Sequence, residues 1–156
     1  MSGPNSARVL VLHGPNLNLL GRREPGIYGS LTLDALNAQC EASAASLGLQ
    51  VHFAQHSSEG ALVDTLHQAG NGDQGVIFNP GGYTHTSVAL HDAIRAIEIP
   101  VVEVHLSNIY KREDFRQRSI TGSACVGVIQ GFGADSYRLA LHHLAGVLNT
   151  PTPDPA

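Results

Sequence analysis

Charge, cysteine and lysine are all scarce in this 156-residue chain. Only 14% of the residues are charged against 42% hydrophobic, so neutral groups or other subunits must cover much of the surface. The net charge of −4 argues against nucleic acid, which selects basic faces. Two cysteines, Cys40 on a predicted helix and Cys125 at a predicted strand start, make neither a disulfide framework nor a metal knuckle. No apolar run approaches the length of a membrane span. The leading MSGPNSA is polar and the apolar run after it covers only Val9–Leu12, unlike a signal peptide. A reduced, cytoplasmic setting is therefore expected, with neither a membrane nor a nucleic acid as partner. Eight of the nine basic residues are arginine, leaving Lys111 as the one candidate for lysine chemistry.

What the chain does contain is an alternation of short apolar runs and amphipathic segments. Its length fits one domain, expected over 8–149 between mobile ends at 1–7 and 150–156. Apolar runs predict strands at 8–13, 49–55, 75–79, 101–104 and 124–129. A helix is predicted to start near Thr32, with Leu33, Leu36, Cys40, Ala44 and Leu47 inward and Gly48 as its stop. Ser57 or Ser58 caps a second, with Leu62, Leu66 and Ala69 inward; Thr86 or Ser87 caps a third, with Leu90, Ile94 and Ile97 inward. Tyr137, Leu141, Leu144 and Leu148 recur at helical spacing in the last. The strand runs are continuously apolar, which marks a parallel sheet covered on both faces. Right-handed crossovers then favour a flavodoxin-like, doubly wound α/β fold with strand order 2-1-3-4-5.

The stretch His13–Gly29 interrupts this regularity. Some seventeen residues carry the breakers Gly14, Pro15, Gly21, Pro25, Gly26 and Gly29 but no periodicity. Loops of this length inside a compact domain are either disordered or functional. Asn16, Asn18, Arg22, Arg23, Glu24 and Tyr28 favour a loop that closes over a substrate. A second rich loop runs from His105 to Arg116, with a helical turn expected from Arg112.

In a doubly wound sheet, ligands bind beyond the carboxyl ends of the strands, at the switch point beside the first. Asn16, Arg23 and Tyr28 follow the first strand, Asn79 and His85 the third, and His105, Ser107, Arg112 and Arg116 the fourth. Those three strands are neighbours in the expected order, so their loops converge. Any one such loop residue is ordinarily a solvated surface group; their convergence on one edge is what argues for a site. Three arginines there point to a small anionic substrate or an anionic transition state. Glu103 and His105 are two apart on one strand face, either a structural pair or an acid with its orienter. His13, His52, His56, His67, His142 and His143 read as structural or surface groups, and His91, beside Asp92, has no assigned role.

Other functions fit less well. A flavin or phosphate binder wants a Ser/Thr/Gly-rich first loop, which HGPNLNLLG is not. Gly131-Phe-Gly-Ala-Asp-Ser136 resembles part of a dinucleotide fingerprint but has no strand after it to carry the ribose ligand. A phosphorelay receiver needs an aspartate where Asn79 stands. A metal hydrolase built on His85, Glu103 and His105 lacks close ligand spacing.

Three motifs go further. They are Val11-Leu-His-Gly-Pro-Asn-Leu-Asn-Leu-Leu-Gly-Arg-Arg-Glu-Pro-x-x-Tyr-Gly29, Asn79-Pro-Gly-Gly-Tyr-Thr-His-Thr-Ser87 and Glu103-Val-His-Leu-Ser-Asn108 with two downstream arginines. In this order they closely resemble type II 3-dehydroquinate dehydratases, over about Arg8–Asn149. The resemblance implies a lyase needing no cofactor and no metal, which dehydrates 3-dehydroquinate to 3-dehydroshikimate in the shikimate pathway or in quinate breakdown. It implies Tyr28 as base, His105 as acid, Arg23 as stabiliser of phenolate and enolate, and Asn16 as holder of a water. Asn79 and the backbone amides of Leu106 and Ser107 would hold the substrate carboxylate, and His85 and Arg116 the ring hydroxyls. Asp92 would reach a neighbouring subunit's site, in trimers assembled into a dodecamer. The residue types suit the chemistry. A free phenol, pKa about 10, needs roughly 4 kcal/mol of preferential phenolate stabilisation to ionise near neutrality. One cation at ~4 Å supplies ~4 kcal/mol at an effective dielectric of ~20, so Arg23 with Arg112 nearby suffices. Glu103 would hold the His105 imidazole oriented and charged.

Overall fold

The computed structural model describes residues 6–22 and 24–149, apart from the side chain of Tyr28. Arg23 and most of the two expected mobile ends lie outside the described residues, though Ala7 is the buried first residue of a strand. Five strands, β1 (Ala7–His13), β2 (Leu49–Gln55), β3 (Gly75–Asn79), β4 (Val101–His105) and β5 (Gly127–Gln130), form one parallel sheet. Their order is β2-β1-β3-β4-β5, as the sequence predicts. The connecting helices are α1 (Pro25–Tyr28, a single turn), α2 (Leu33–Ser46), α3 (Glu59–Gly70), α4 (Val88–Ala96) and α5 (Asp135–Leu148).

Alternation along each strand builds two apolar layers. Val9, Val11, Ile77, Val102 and Val104 pack against α2 and α5 through Leu36, Cys40, Ala44, Tyr137, Leu141 and Leu144. Leu10, Leu12, Val76, Phe78 and Val101 pack against α3 and α4 through Leu62, Leu66, Leu90 and Ile94. Each fully buried side chain of this size contributes roughly 1.5–3 kcal/mol. Because β1, β3 and β4 are covered on both faces, their polar residues sit only at the strand ends, or, like Glu103, are buried with partners.

The helices start where their caps dictate. Thr32 Oγ1 accepts from Ala35 N–H at 3.1 Å, Ser58 Oγ from Ala61 N–H at 3.1 Å and Ser87 Oγ from Leu90 N–H at 2.9 Å. Each such cap is worth about 1 kcal/mol. Of the paired alternatives, Ser58 and Ser87 are therefore the caps. After α2, Gly48 takes φ 72°, which ends the helix and turns the chain into β2.

Three segments differ from the sequence expectation. The fifth strand begins at Gly127 rather than Ala124, so Cys125 precedes the strand instead of starting it. The N–H groups of Ala124 and Cys125 close a 3-10 turn onto Thr121 and Gly122 carbonyls, so those residues are not available for the ladder. The loop after β4 holds two 3-10 turns, Ile109–Lys111 and Asp114–Arg116, in place of one turn from Arg112. Arg112 and Glu113 separate them. The fourth strand also runs one residue further than expected, to His105, which pairs with Gln130.

Candidate active site

The carboxyl ends of β1 and β3 are fastened together before any side chain enters the site. Gly14 N–H donates to the Asn79 carbonyl at 2.8 Å. A Cβ on Gly14 would stand 2.5 Å from the Pro80 oxygen, and one on Gly81 (φ 62°) 3.0 Å from the Pro15 oxygen. Glycine is required at both positions for the two loops to touch. Asn16 follows at φ 70°, left-handed and uncommon for a residue with a side chain. A 3-10 turn, Leu17–Leu19, comes next, and Leu17 and Leu20 are buried in the α2–α5 layer. The long loop therefore has an anchored first part. Beyond it, Glu24, Pro25, Gly26 and Ile27 are all exposed.

Beside this junction a cavity of about 160 Å³ opens at the ends of β1, β3 and β4. Asn16, Asn79, His85, His105, Arg112 and Arg116 line it, and Leu106 and Ser107 complete the β4 side. His105 and Glu103 are on the same face of β4, with Nε2 of the imidazole 3.0 Å from Glu103 Oε2. Glu103 is fully buried and also accepts from Ser119 Oγ at 2.7 Å and from Thr121 Oγ1. A buried carboxylate costs several kcal/mol unless paired and hydrogen-bonded, and three partners meet that need. Nε2 is thus engaged, and Nδ1 is the ring nitrogen available to the cavity.

Opposite, His85 Nδ1 lies 2.8 Å from the Arg118 carbonyl, which only accepts. Nδ1 must therefore carry the proton, and Nε2 of a neutral His85 offers a lone pair. Arg112 is largely covered and donates from Nη1 to Ser107 Oγ at 3.2 Å. Its Nε lies 3.5 Å from Glu113, and Arg116 Nε donates to the other Glu113 oxygen at 3.1 Å. A hydrogen bond from its own backbone, then those to Arg116, hold the exposed Glu113 carboxyl below the usual range. One exposed carboxylate shared between two arginines leaves the cavity wall suited to an anion.

The structure thus brings Asn16, Asn79, His85, His105, Leu106, Ser107, Arg112 and Arg116 to one cavity, with Glu103 directly behind His105. Asp92 is exposed on α4, 3.0 Å from His91 Nδ1, and lines no part of that cavity. Arg23 and the Tyr28 side chain fall outside the described residues. Among the described residues, His85, Glu103 and His105 do not form a cluster fit to ligate a metal.

Sequence reasoning missed a polar layer beneath the cavity. Tyr137, read only as part of an apolar stripe, receives a hydrogen bond from Asn79 Nδ2 at 3.1 Å. Its hydroxyl is 3.2 Å from His13 Nδ1, and His13 Nε2 is 2.8 Å from Asn37 Oδ1. The signal was available: a tyrosine buried in a helix stripe must find a partner for its hydroxyl.

Fold and cavity together define a flavodoxin-like α/β protein with a polar small-molecule site at the switch edge of its sheet. Residues 7–145 match the family model described as dehydroquinase class II, and the chain belongs to that family. It is 58% identical over 139 residues to 3-dehydroquinate dehydratase of Rhizobium johnstonii, covering 89% of this chain and 96% of that protein. Among solved structures it resembles type II dehydroquinase from Propionibacterium acnes, with TM-score 0.88 and 42% identity over 90% of this chain and 97% of that one. The type II dehydroquinase from Butyrivibrio crossotus gives TM-score 0.87 and 40% identity, covering 89% and 97%.

Proposed function

We propose that the protein removes water from 3-dehydroquinate to give 3-dehydroshikimate, through an enolate and with its own side chains moving both protons. The observation that carries the reading is the cavity-lining His105 backed by a buried Glu103, facing a wall with two arginines. Family membership and the names of the relatives give the substrate.

Tyr28, as phenolate, takes the proton from the carbon beside the ketone, and the electron pair moves onto the ketone oxygen. Arg23 and a water held by Asn16 stabilise that enolate. His105, as imidazolium with Nε2 bonded to Glu103, gives its other proton to the departing hydroxyl. The C–O bond breaks, water leaves, and the enolate pair becomes a double bond conjugated with the ketone. Solvent then restores the His105 proton and takes the Tyr28 proton. Asn79 and the amides of Leu106 and Ser107 hold the carboxylate; His85 Nε2 accepts from a ring hydroxyl that Arg116 also contacts.

No lysine is needed for this route. Lys111 is exposed and is not part of the cavity lining. We expect purified protein mixed with 3-dehydroquinate to generate the enone absorbance, unaffected by borohydride or by Lys111→Ala. Absence of the chromophore would sink the proposal, and inactivation with mass added on Lys111 would replace the acid–base route with a Schiff base.

A further inference from the structure

Beneath the cavity, the direction of every hydrogen bond in the buried polar layer follows from one backbone group. Gly81 N–H can only donate, and its partner is Asn79 Oδ1 at 3.1 Å. The Asn79 amide is therefore oriented with Nδ2 toward Tyr137, to whose oxygen it donates. The Tyr137 hydroxyl hydrogen then has His13 Nδ1 as its acceptor. That nitrogen must be unprotonated, so Nε2 carries the hydrogen and donates to Asn37 Oδ1. Tyr137 and His13 are fully buried, and among the described residues no buried side-chain nitrogen or oxygen lacks a partner. Every link is thus satisfied in one direction only. Asn79 has two amide hydrogens; one serves Tyr137, and the other remains for whatever occupies the cavity.

We propose that Tyr137 and His13, anchored on Asn37, are positioning residues that act with Gly81 N–H to hold the Asn79 amide with an N–H toward the cavity, so that the site selects an acceptor such as a carboxylate. An amide free to rotate by half a turn would present its oxygen instead and repel an anion. The chain is held by three elements, β1 through His13, α2 through Asn37 and α5 through Tyr137, and none of these three side chains lines the cavity. The proposal rests on the reading above, in which Asn79 meets the substrate carboxylate, and its test separates the two.

Quinate, which carries an alcohol in place of the ketone and cannot eliminate, serves as the probe beside its carboxamide. For Tyr137→Phe, calorimetric affinity for quinate should fall about tenfold, the scale expected when a buried N–H loses its partner. Affinity for the carboxamide should change less than about twofold, because that group can donate or accept toward either amide orientation. In turnover of 3-dehydroquinate the same variant should raise KM more than it lowers kcat. Equal losses for both probes would mean a general structural effect and overturn the positioning role. Quinate affinity untouched by Tyr137→Phe but lost in Asn79→Ala would overturn it too, leaving Asn79's own role intact. Quinate affinity untouched in Asn79→Ala would instead remove the reading on which the proposal stands. A measurement on the unaltered protein covers the case of a variant that fails to fold. Neutron diffraction should find deuterium on His13 Nε2 and none on Nδ1; the opposite tautomer would break the chain at Tyr137.

Discussion

At the scale of single residues, burial sets the chemistry of His13. Its imidazole is held at about 4, chiefly because burial disfavours the charged ring, with the Asn37 hydrogen bond opposing. An unfolded histidine titrates near 6.5, so as pH falls the unfolded chain takes up the proton first. The stability tied to neutral His13 is whole above about pH 6.5 and is lost progressively down to about pH 4, roughly 3 kcal/mol in all. Urea unfolding of the wild type and of His13→Gln at pH 7 and pH 4.5 isolates this contribution. The wild type should lose more stability than the variant between the two pH values, by about 2 kcal/mol or more. Identical losses would mean that His13 protonates in the folded protein without penalty. Burial acts on Tyr137 and Cys125 as well, raising both well above their ordinary values, so neither is a base or nucleophile near neutrality.

At the scale of elements, the site depends on how closely the β1 and β3 loops approach. Gly14→Ala would drive a methyl group against the Pro80 carbonyl, and the main chain on both sides must move to relieve it. The two loops carry Asn16 and His85, so we expect kcat/KM to fall about 100-fold, the scale of a 1 Å misplacement. Thermal unfolding should shift by only a few degrees, because the sheet core is untouched. Wild-type activity in this variant would show that the junction is not what sets the site. Much of this level was legible in the sequence. Thr32 and the pairs Ser57/Ser58 and Thr86/Ser87 announce three helices, and the continuous apolar runs announce a buried parallel sheet. The start of β5 was not legible, because Ala124-Cys-Val126 is as apolar as a strand while the N–H groups of Ala124 and Cys125 are used in a turn. The turns at 17–19 and 25–28 were also hidden, since three or four residues carry no period to read. For the site, convergence on one edge was predictable from strand order. The Asn79–Tyr137–His13 chain was not, as its members lie 58 and 124 positions apart and two of them resemble ordinary core residues.

For the whole molecule, the scarcity of charge carries over into the surface. Tyr110, Phe115 and Phe132 are each about two-thirds exposed on the described chain. Among the described residues, no helix is long and apolar enough to cross a membrane. We propose that such a surface is covered by assembly of trimers into a dodecamer, with Asp92 reaching a neighbour's site. Sedimentation velocity with parallel assays should find trimer-based species and activity that disappears when trimers separate; fully active monomers would contradict the assembly. The proposed reaction assigns two different protons to two side chains, Tyr28 and His105. Proton NMR of 3-dehydroquinate in D2O, run with wild type, Tyr28→Phe and His105→Ala, reads both steps at once. His105→Ala should exchange the hydrogen beside the ketone while forming little product, and Tyr28→Phe should do neither. Near-wild-type elimination by Tyr28→Phe, or loss of exchange in a folded His105→Ala, would contradict it.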